Sequence, residues 1–238
     1  MPYSFESRVR YSETGEDGKL TLSGILNYFQ DCSTFQSQDI GQGLEKTRKR
    51  NRIWVISSWQ TVVNRYPRLG EKLVISTFPY QFRGFFGNRN YMIDTADGER
   101  IACAHSIWTY LDSETGFPAR LTEEDCAGYI LEEKLEMEYA PRKIALPGEC
   151  REEEAFVVMK QHLDSNHHVN NCQYVRMAED YLPKGFVVSQ MRAEYKQQAR
   201  LYHRICPQVA AEEQKVTVLL NDENGAAYAV VEFLGQIR

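Results

Sequence analysis

A chain of 238 residues, 42 % hydrophobic and 26 % charged, is long enough to bury a sizeable core without covalent staples. Its net charge of −5 gives no basic footprint for nucleic acid, and no apolar run approaches the ~18 residues that span a bilayer. Six cysteines, at 32, 103, 126, 150, 172 and 206, include no C-x-x-C pair, which argues against a zinc ribbon or a secreted disulfide framework and for reduced thiols in a cytoplasm.

The polar start, MPYSFESRVRYSE, has no apolar signal region. Tyr3 to Tyr11 alternates and reads as a strand, and Glu13 to Lys19 is a polar loop with two glycines. From Leu20 to Asp39 apolar residues fall at Leu22, Ile25, Leu26, Phe29 and Cys32, the spacing of a helix with one buried face. Its Tyr28, Phe29 and Phe35 mark it as a core helix. The next eight residues of note, Glu45 to Arg52, hold five bases: Lys46, Arg48, Lys49, Arg50 and Arg52. Most such runs are solvated loops, and the functional alternative is a docking patch for an acidic partner or a phosphate.

Ile53 to Tyr66, Glu71 to Phe82, Phe86 to Thr95 and Arg100 to Leu111 read as strands, the last two joined by a hairpin at Asp97-Gly98. Asp112 to Glu154 is acidic, holds Pro118, Pro141 and Pro147, and reads as a linker with a short helix from Thr122 to Tyr129 capped by Thr122. Then the order repeats. Ala155 to Lys160 is a strand and Asn170 to Leu182 a helix. Strands follow at Val187 to Gln198, Leu201 to Ala210, Gln214 to Asn221 and Ala226 to Gln236, the last pair turning at Asn224-Gly225. A helix followed by antiparallel strands, twice, is an α+β internal repeat. The expected division is 1–111, a linker 112–154, and 155–238. Each repeat is a curled antiparallel sheet around one helix, and two such repeats can pair edge to edge as a homodimer does.

The chemistry concentrates in Met159 to Pro183, MKQHLDSNHHVNNCQYVRMAEDYLP, where Asp164, Asn166 and His168 alternate just ahead of the second helix. An isolated D-x-N before a helix is most often a turn and cap, because both side chains bond nearby backbone N–H groups. A metal site is a weaker reading: His162, Asp164, His167 and His168 are close in sequence, but H-x-x-x-H and H-E-x-x-H are absent. His105 and His203 fall in strands and read as structural. The corresponding stretch of the first half, Thr14 to Leu22, has no D-x-N-x-H, so one active site per chain is expected.

Three stretches together resemble the acyl-acyl-carrier-protein thioesterases: NRIWVISSWQTVVNRYP with the following Arg68-Leu69-Gly70-Glu71, AHSIWTYLDSETGFP, and LDSNHHVNNCQYVRMAEDYLP. The resemblance runs through essentially the whole chain in order. It implies a tandem pair of hotdog domains, no cofactor, and hydrolysis of fatty acyl-carrier-protein thioesters to free fatty acid, which ends fatty acid synthesis. Asp164, Asn166 and His168 match the family's catalytic motif. The family's acid on the next strand is replaced here by Gln198 and its cysteine by Ala199. That argues against a covalent cysteine mechanism and leaves water activated by the remaining groups.

On that reading Asp164 or His168 accepts the water's proton, Asp164 assisted by His168 being the favoured arrangement, with Asn166 orienting the water or polarising the carbonyl and Gln198 holding the water. The N–H groups of Val169, Asn170 and Asn171 at the helix start are candidate oxyanion donors. Tyr28, Phe29, Trp54 and Trp59 are candidates for the acyl pocket, though plain core is the commoner role of each. The resemblance also implies an acidic carrier protein with a phosphopantetheine arm, which turns the basic run at 46–52 into a candidate docking site. An acyl-CoA thioesterase or a non-catalytic acyl-binding module on the same fold are the alternatives. Acyl chain length and homodimer formation stay open.

Overall fold

A computed structural model describes residues 1–237. The chain divides into two compact units, Met1–Ser57 with Val63–Tyr139, and Ser58–Val62 with Ala140 onward, so the expected linker is shared between them at Tyr139.

The elements in chain order are β1 (Tyr3–Arg8), α1 (Leu22–Asp39), α2 (Leu44–Lys49), β2 (Arg52–Val63), β3 (Lys72–Arg83), β4 (Phe86–Thr95), β5 (Arg100–Asp112), α3 (Glu123–Cys126), β6 (Arg151–Glu152), β7 (Phe156–Val157), α4 (Asn171–Glu179), β8 (Phe186–Tyr195), β9 (Arg204–Ala211), β10 (Lys215–Asn221) and β11 (Ala227–Ile237). The α+β repeat expected from the sequence is present.

In the first unit the strand order is β1-β3-β4-β5-β2. The β4–β5 hairpin turns at Asp97-Gly98, with Gly98 at φ 87°, a left-handed conformation that glycine adopts at no steric cost. Helix α1 starts where Thr21 Oγ1 accepts the Gly24 N–H at 3.0 Å. Its buried face, Leu22, Ile25, Leu26, Phe29, Cys32 and Gln36, packs on β3 and β1. The basic run, expected as a loop, places Glu45 to Lys49 in the short helix α2, Arg50 at its C-cap and Arg52 at the start of β2.

In the second unit the order is β2 (through Ser58–Val62)-β8-β11-β10-β9-β6, with β7 on β9. Helix α4 is shorter than expected, ending at Glu179, and packs on β11 and β10. The expected strand at 155–160 holds pairing only through Val157. After Met159 the chain turns through a 3₁₀ turn at Lys160–His162.

The two halves repeat one local device. A 3₁₀ turn (Tyr11–Glu13, Lys160–His162) leads into a loop closed by an antiparallel bridge (Thr14 with Leu20, Leu163 with Val169). A capped helix follows, its cap Thr21 in one half and Asn170 in the other. A buried helix tyrosine then ties the helix to its surroundings. Tyr28 donates to Glu13 Oε2 at 2.7 Å, and Tyr174 accepts the Ala199 N–H at 2.8 Å. Where the first loop carries Gly15 to Lys19, the second carries Asp164 to His168.

Candidate functional site

Asp164 organises the second loop. Its Oδ1 accepts the N–H of Asn166 at 2.8 Å and of His168 at 3.3 Å, while its own N–H donates to the His168 carbonyl at 2.8 Å. Asp164 and His168 thus face each other across a loop pinned by the Leu163–Val169 bridge. His167, at the loop's tip, is held at φ 61°, an uncommon region for a residue with a side chain, and it is exposed. This backbone strain brings the chain back so that His168 pairs by a bridge with Arg200.

His168 is half-buried. Burial holds its pKa below the ordinary histidine value. Arg200 pushes the same way and so, more weakly, does His167, while only the Asp164 carboxylate opposes them. The imidazole is therefore neutral at pH 7 and free to accept a proton. Asp164, by contrast, spends one carboxylate oxygen on the backbone.

The structure narrows the expected oxyanion donors. The Val169 N–H donates to the Ala199 carbonyl at 2.9 Å and the Asn170 N–H to the His162 carbonyl at 2.9 Å, so neither is available to a substrate oxygen. The Asn170 side chain caps α4 by accepting the Cys172 N–H at 2.9 Å. Asn171, the first residue of α4, keeps its N–H at the positive end of the helix dipole.

Gln198 is exposed, and its side chain makes no hydrogen bond to any described residue. An unheld side chain cannot preorganise a water. Gln198→Ala is expected to change kcat for a thioester less than about threefold, as for an ordinary surface substitution. A steady-state assay checks this, and a loss beyond about tenfold would return Gln198 to the site. Ala199 beside it is buried. The nearest helical thiol, Cys172, is pushed up to about 12 by burial above all, which leaves it inert as a nucleophile.

The basic run is largely neutralised. Lys49 pairs with Glu45 at 2.6 Å, Arg50 with Asp125 at 2.8 Å and Glu124 at 2.9 Å, Arg52 with Asp112 at 2.5 Å, and Lys46 lies 3.8 Å from Glu124. Arg48 is exposed. In a run that reads as free positive charge, Lys46, Lys49, Arg50 and Arg52 are held by carboxylates up to 75 residues away. Lys46 and Arg50 tie the α2 segment to α3, Lys49 pairs within α2 and Arg52 joins β2 to β5, so the positive field of the expected docking patch is reduced.

The acyl-pocket candidates divide. Trp54 lines a cavity of the first unit, together with Leu44, Pro79, Phe82, Trp108 and Tyr129. Tyr28 and Phe29 do not line it. Tyr28 turns its hydroxyl to Glu13 and the Arg8 carbonyl, and Phe29 packs on Tyr91 with ring centres 5.3 Å apart. Trp59 is 3 % exposed in the second unit and is core. Phe82, Trp108 and Tyr129 went unread as lining because strand alternation does not say which face of a sheet meets a cavity. Both of these histidines bond tyrosines, His105 on β5 to Tyr80 at 2.9 Å and His203 to Tyr228 at 3.1 Å, although His203, expected in a strand, lies just before β9 begins at Arg204.

Comparison with known proteins gives a consistent picture. The family model "Acyl-ACP thioesterase N-terminal domain" matches residues 2–129 and "Acyl-ACP thioesterase C-terminal domain" matches residues 147–231. A palmitoyl-acyl carrier protein thioesterase of Arabidopsis thaliana is 24 % identical over 207 residues, 80 % of this chain and 50 % of its own length. The chain thus spans about half the length of the curated relatives it matches. An acyl-ACP thioesterase structure from Bacteroides thetaiotaomicron superposes with a TM-score of 0.89 at 19 % identity, covering 98 % of this chain and 97 % of its own. The 12:0-ACP thioesterase of Umbellularia californica gives 0.87 at 17 % identity, covering 100 % and 98 %. The fold is therefore the tandem double hotdog. Among the described residues no helix is long and apolar enough to cross a membrane.

Proposed function

We propose that this chain, which belongs to the acyl-ACP thioesterase family, hydrolyses the thioester of a fatty acyl group on acyl carrier protein and releases free fatty acid, ending chain growth. The observation that carries the reading is the strained loop ahead of α4, in which the Asp164 carboxylate accepts the His168 backbone N–H and burial keeps the His168 pKa below the ordinary histidine value.

His168 accepts a proton as water attacks the thioester carbonyl carbon. Asp164 fixes the loop and favours the imidazolium that forms. The carboxamide of Asn166 orients the water, and the Asn171 N–H meets the oxyanion. Collapse of the tetrahedral intermediate breaks the C–S bond. The departing thiolate takes the proton back from His168, and the products are a carboxylic acid and the phosphopantetheine thiol. No cofactor enters this scheme.

A second reading is an acyl-CoA thioesterase on the same fold. The pairing of Lys46, Lys49, Arg50 and Arg52 with carboxylates weakens electrostatic steering toward either anionic carrier, acyl carrier protein or CoA, so this run does not choose between them. Values of kcat/KM for matched acyl groups on the two carriers separate the readings. The carrier-protein assignment predicts a clear preference for acyl carrier protein, and equal or better use of CoA would sink it.

A further inference from the structure

The first unit's cavity has a charged residue in its wall. Arg89 on β4 is only 7 % exposed and lines the cavity, yet among the described residues it has no carboxylate partner. Its Nη1 donates to Gln36 Oε1 and to Thr77 Oγ1 at 3.2 Å, and the guanidinium carbon lies 5.6 Å from the centre of the Tyr129 ring. Nε and Nη2 make no hydrogen bond to any described residue. These two atoms form the side-on edge of the guanidinium, the fork that binds a carboxylate through two parallel bonds.

Within the protein this largely buried cation meets only two neutral oxygens and one aromatic face, and its two unbonded donors keep access to solvent, where an anion or a strong acceptor can reach them. The neighbouring wall is polar in keeping with this. Ser33 and Ser37 of α1 line the cavity beside Arg89, and Ser37 Oγ shares a hydrogen bond of 2.7 Å with the Tyr129 hydroxyl. The lining also includes Leu44, Trp54, Phe82 and Trp108, which are apolar or aromatic. The cavity thus joins a surface suited to methylene groups with an open guanidinium fork.

We propose that this cavity takes an acyl chain that carries an oxygen function remote from its thioester, a carboxylate best and a hydroxyl second, with Arg89 as the residue that selects it. The proposal rests on the reading of the chain as an acyl-group enzyme but not on hydrolysis itself. A chain ending in methyl would bury apolar surface against an unpaired charge. A chain ending in carboxylate supplies the missing counter-ion and satisfies both free donors at once.

Three probes of equal length test it by calorimetry on the full chain: methyl octanoate, methyl omega-hydroxyoctanoate and the monomethyl ester of suberic acid. The ester blocks the proximal end in each, so only the far end differs. The expected order of affinity is suberate over hydroxyoctanoate over octanoate, with at least about tenfold between the extremes, as loss of a charge-assisted bidentate contact implies. In Arg89→Met the preference should vanish, and Arg89→Lys, which keeps the charge but not the fork, should retain part of it. Melting temperatures report whether either variant has lost its fold. The wild-type series decides even if both have. Equal affinities, tighter binding of octanoate, binding of none of the three, or an unchanged preference in folded Arg89→Met would overturn the proposal. If the preference holds while the wild type hydrolyses no thioester, the hydrolase reading fails and this one stands.

Discussion

Replacing His168 with alanine is expected to lower kcat for thioester hydrolysis by about 10²–10⁴-fold, the usual contribution of a positioned general base, with the melting temperature little changed. His168 contributes its N–H and carbonyl to the loop through the backbone, and alanine keeps both. Asp164 behaves differently because its side chain does two things. Asp164→Asn retains an oxygen that can accept the Asn166 and His168 N–H groups, so the loop survives, and the loss should be within about tenfold. Asp164→Ala removes the acceptor, lets the loop relax, and should approach the His168→Ala loss. If Asp164 were the base itself, Asn and Ala would be equally inactive. The pH profile gives an independent check. Burial, reinforced by Arg200 and His167, lowers the His168 pKa. The acid limb of kcat/KM, where activity falls as the imidazole gains its proton, should then have its midpoint below about 6.5, and activity should be flat through neutral pH. A midpoint above that value would place another group in the role.

The second large effect is on stability. Asp125→Ala is expected to cost about 3 kcal/mol, read from the urea midpoint, because it strands the buried Tyr110 hydroxyl and removes the acceptor of three part-buried donors at once. The Asp125 side chain is 6 % exposed and accepts from Arg50 Nη1 at 2.8 Å, the Tyr110 hydroxyl at 2.8 Å, and the Thr122 N–H and hydroxyl at 2.9 and 2.7 Å. Arg50 still has Glu124, but Tyr110 is 2 % exposed and would be left without a partner in the core. The same carboxylate fixes α3 against α2, which supplies Leu44 and Thr47 to the cavity wall. Binding to the cavity should therefore weaken with stability. Burial alone would raise the Asp125 pKa, and the Thr122, Tyr110 and Arg50 contacts outweigh it and hold it below the usual aspartate value. A depressed native pKa stabilises above the unfolded value and is lost as pH falls through the native one, so this contribution should fade only in strong acid. Glu45→Ala, which breaks the exposed pair with Lys49, should change the midpoint little.

Patterns set by neighbours along the chain were legible in the sequence. The spacing from Leu22 to Cys32 identified α1, Thr122 was readable as a cap, and the Asp97-Gly98 and Asn224-Gly225 turns join the strand pairs expected of them. The doubled order of helix and strands was readable for the same reason. What escaped was decided by partners far away in sequence. Five bases in eight residues look like free charge until Glu124, Asp125 and Asp112 are brought alongside. The N–H groups of Val169 and Asn170 look like open donors until the Ala199 and His162 carbonyls reach them. Trp54 and Trp59 are five residues apart on one strand, yet only Trp54 lines the cavity. Arg89 is an unremarkable strand arginine in the sequence. It becomes conspicuous only when the strands around it leave it without an acid.

The most direct measurement is single and simple: incubate the full chain with a panel of acyl-acyl-carrier proteins and follow both the free thiol and the free fatty acid. The account predicts that the two appear together in equal amounts, and that His168→Ala loses them together. Water added to the acyl chain with the thioester intact, or no thiol released from any member of the panel, would contradict it.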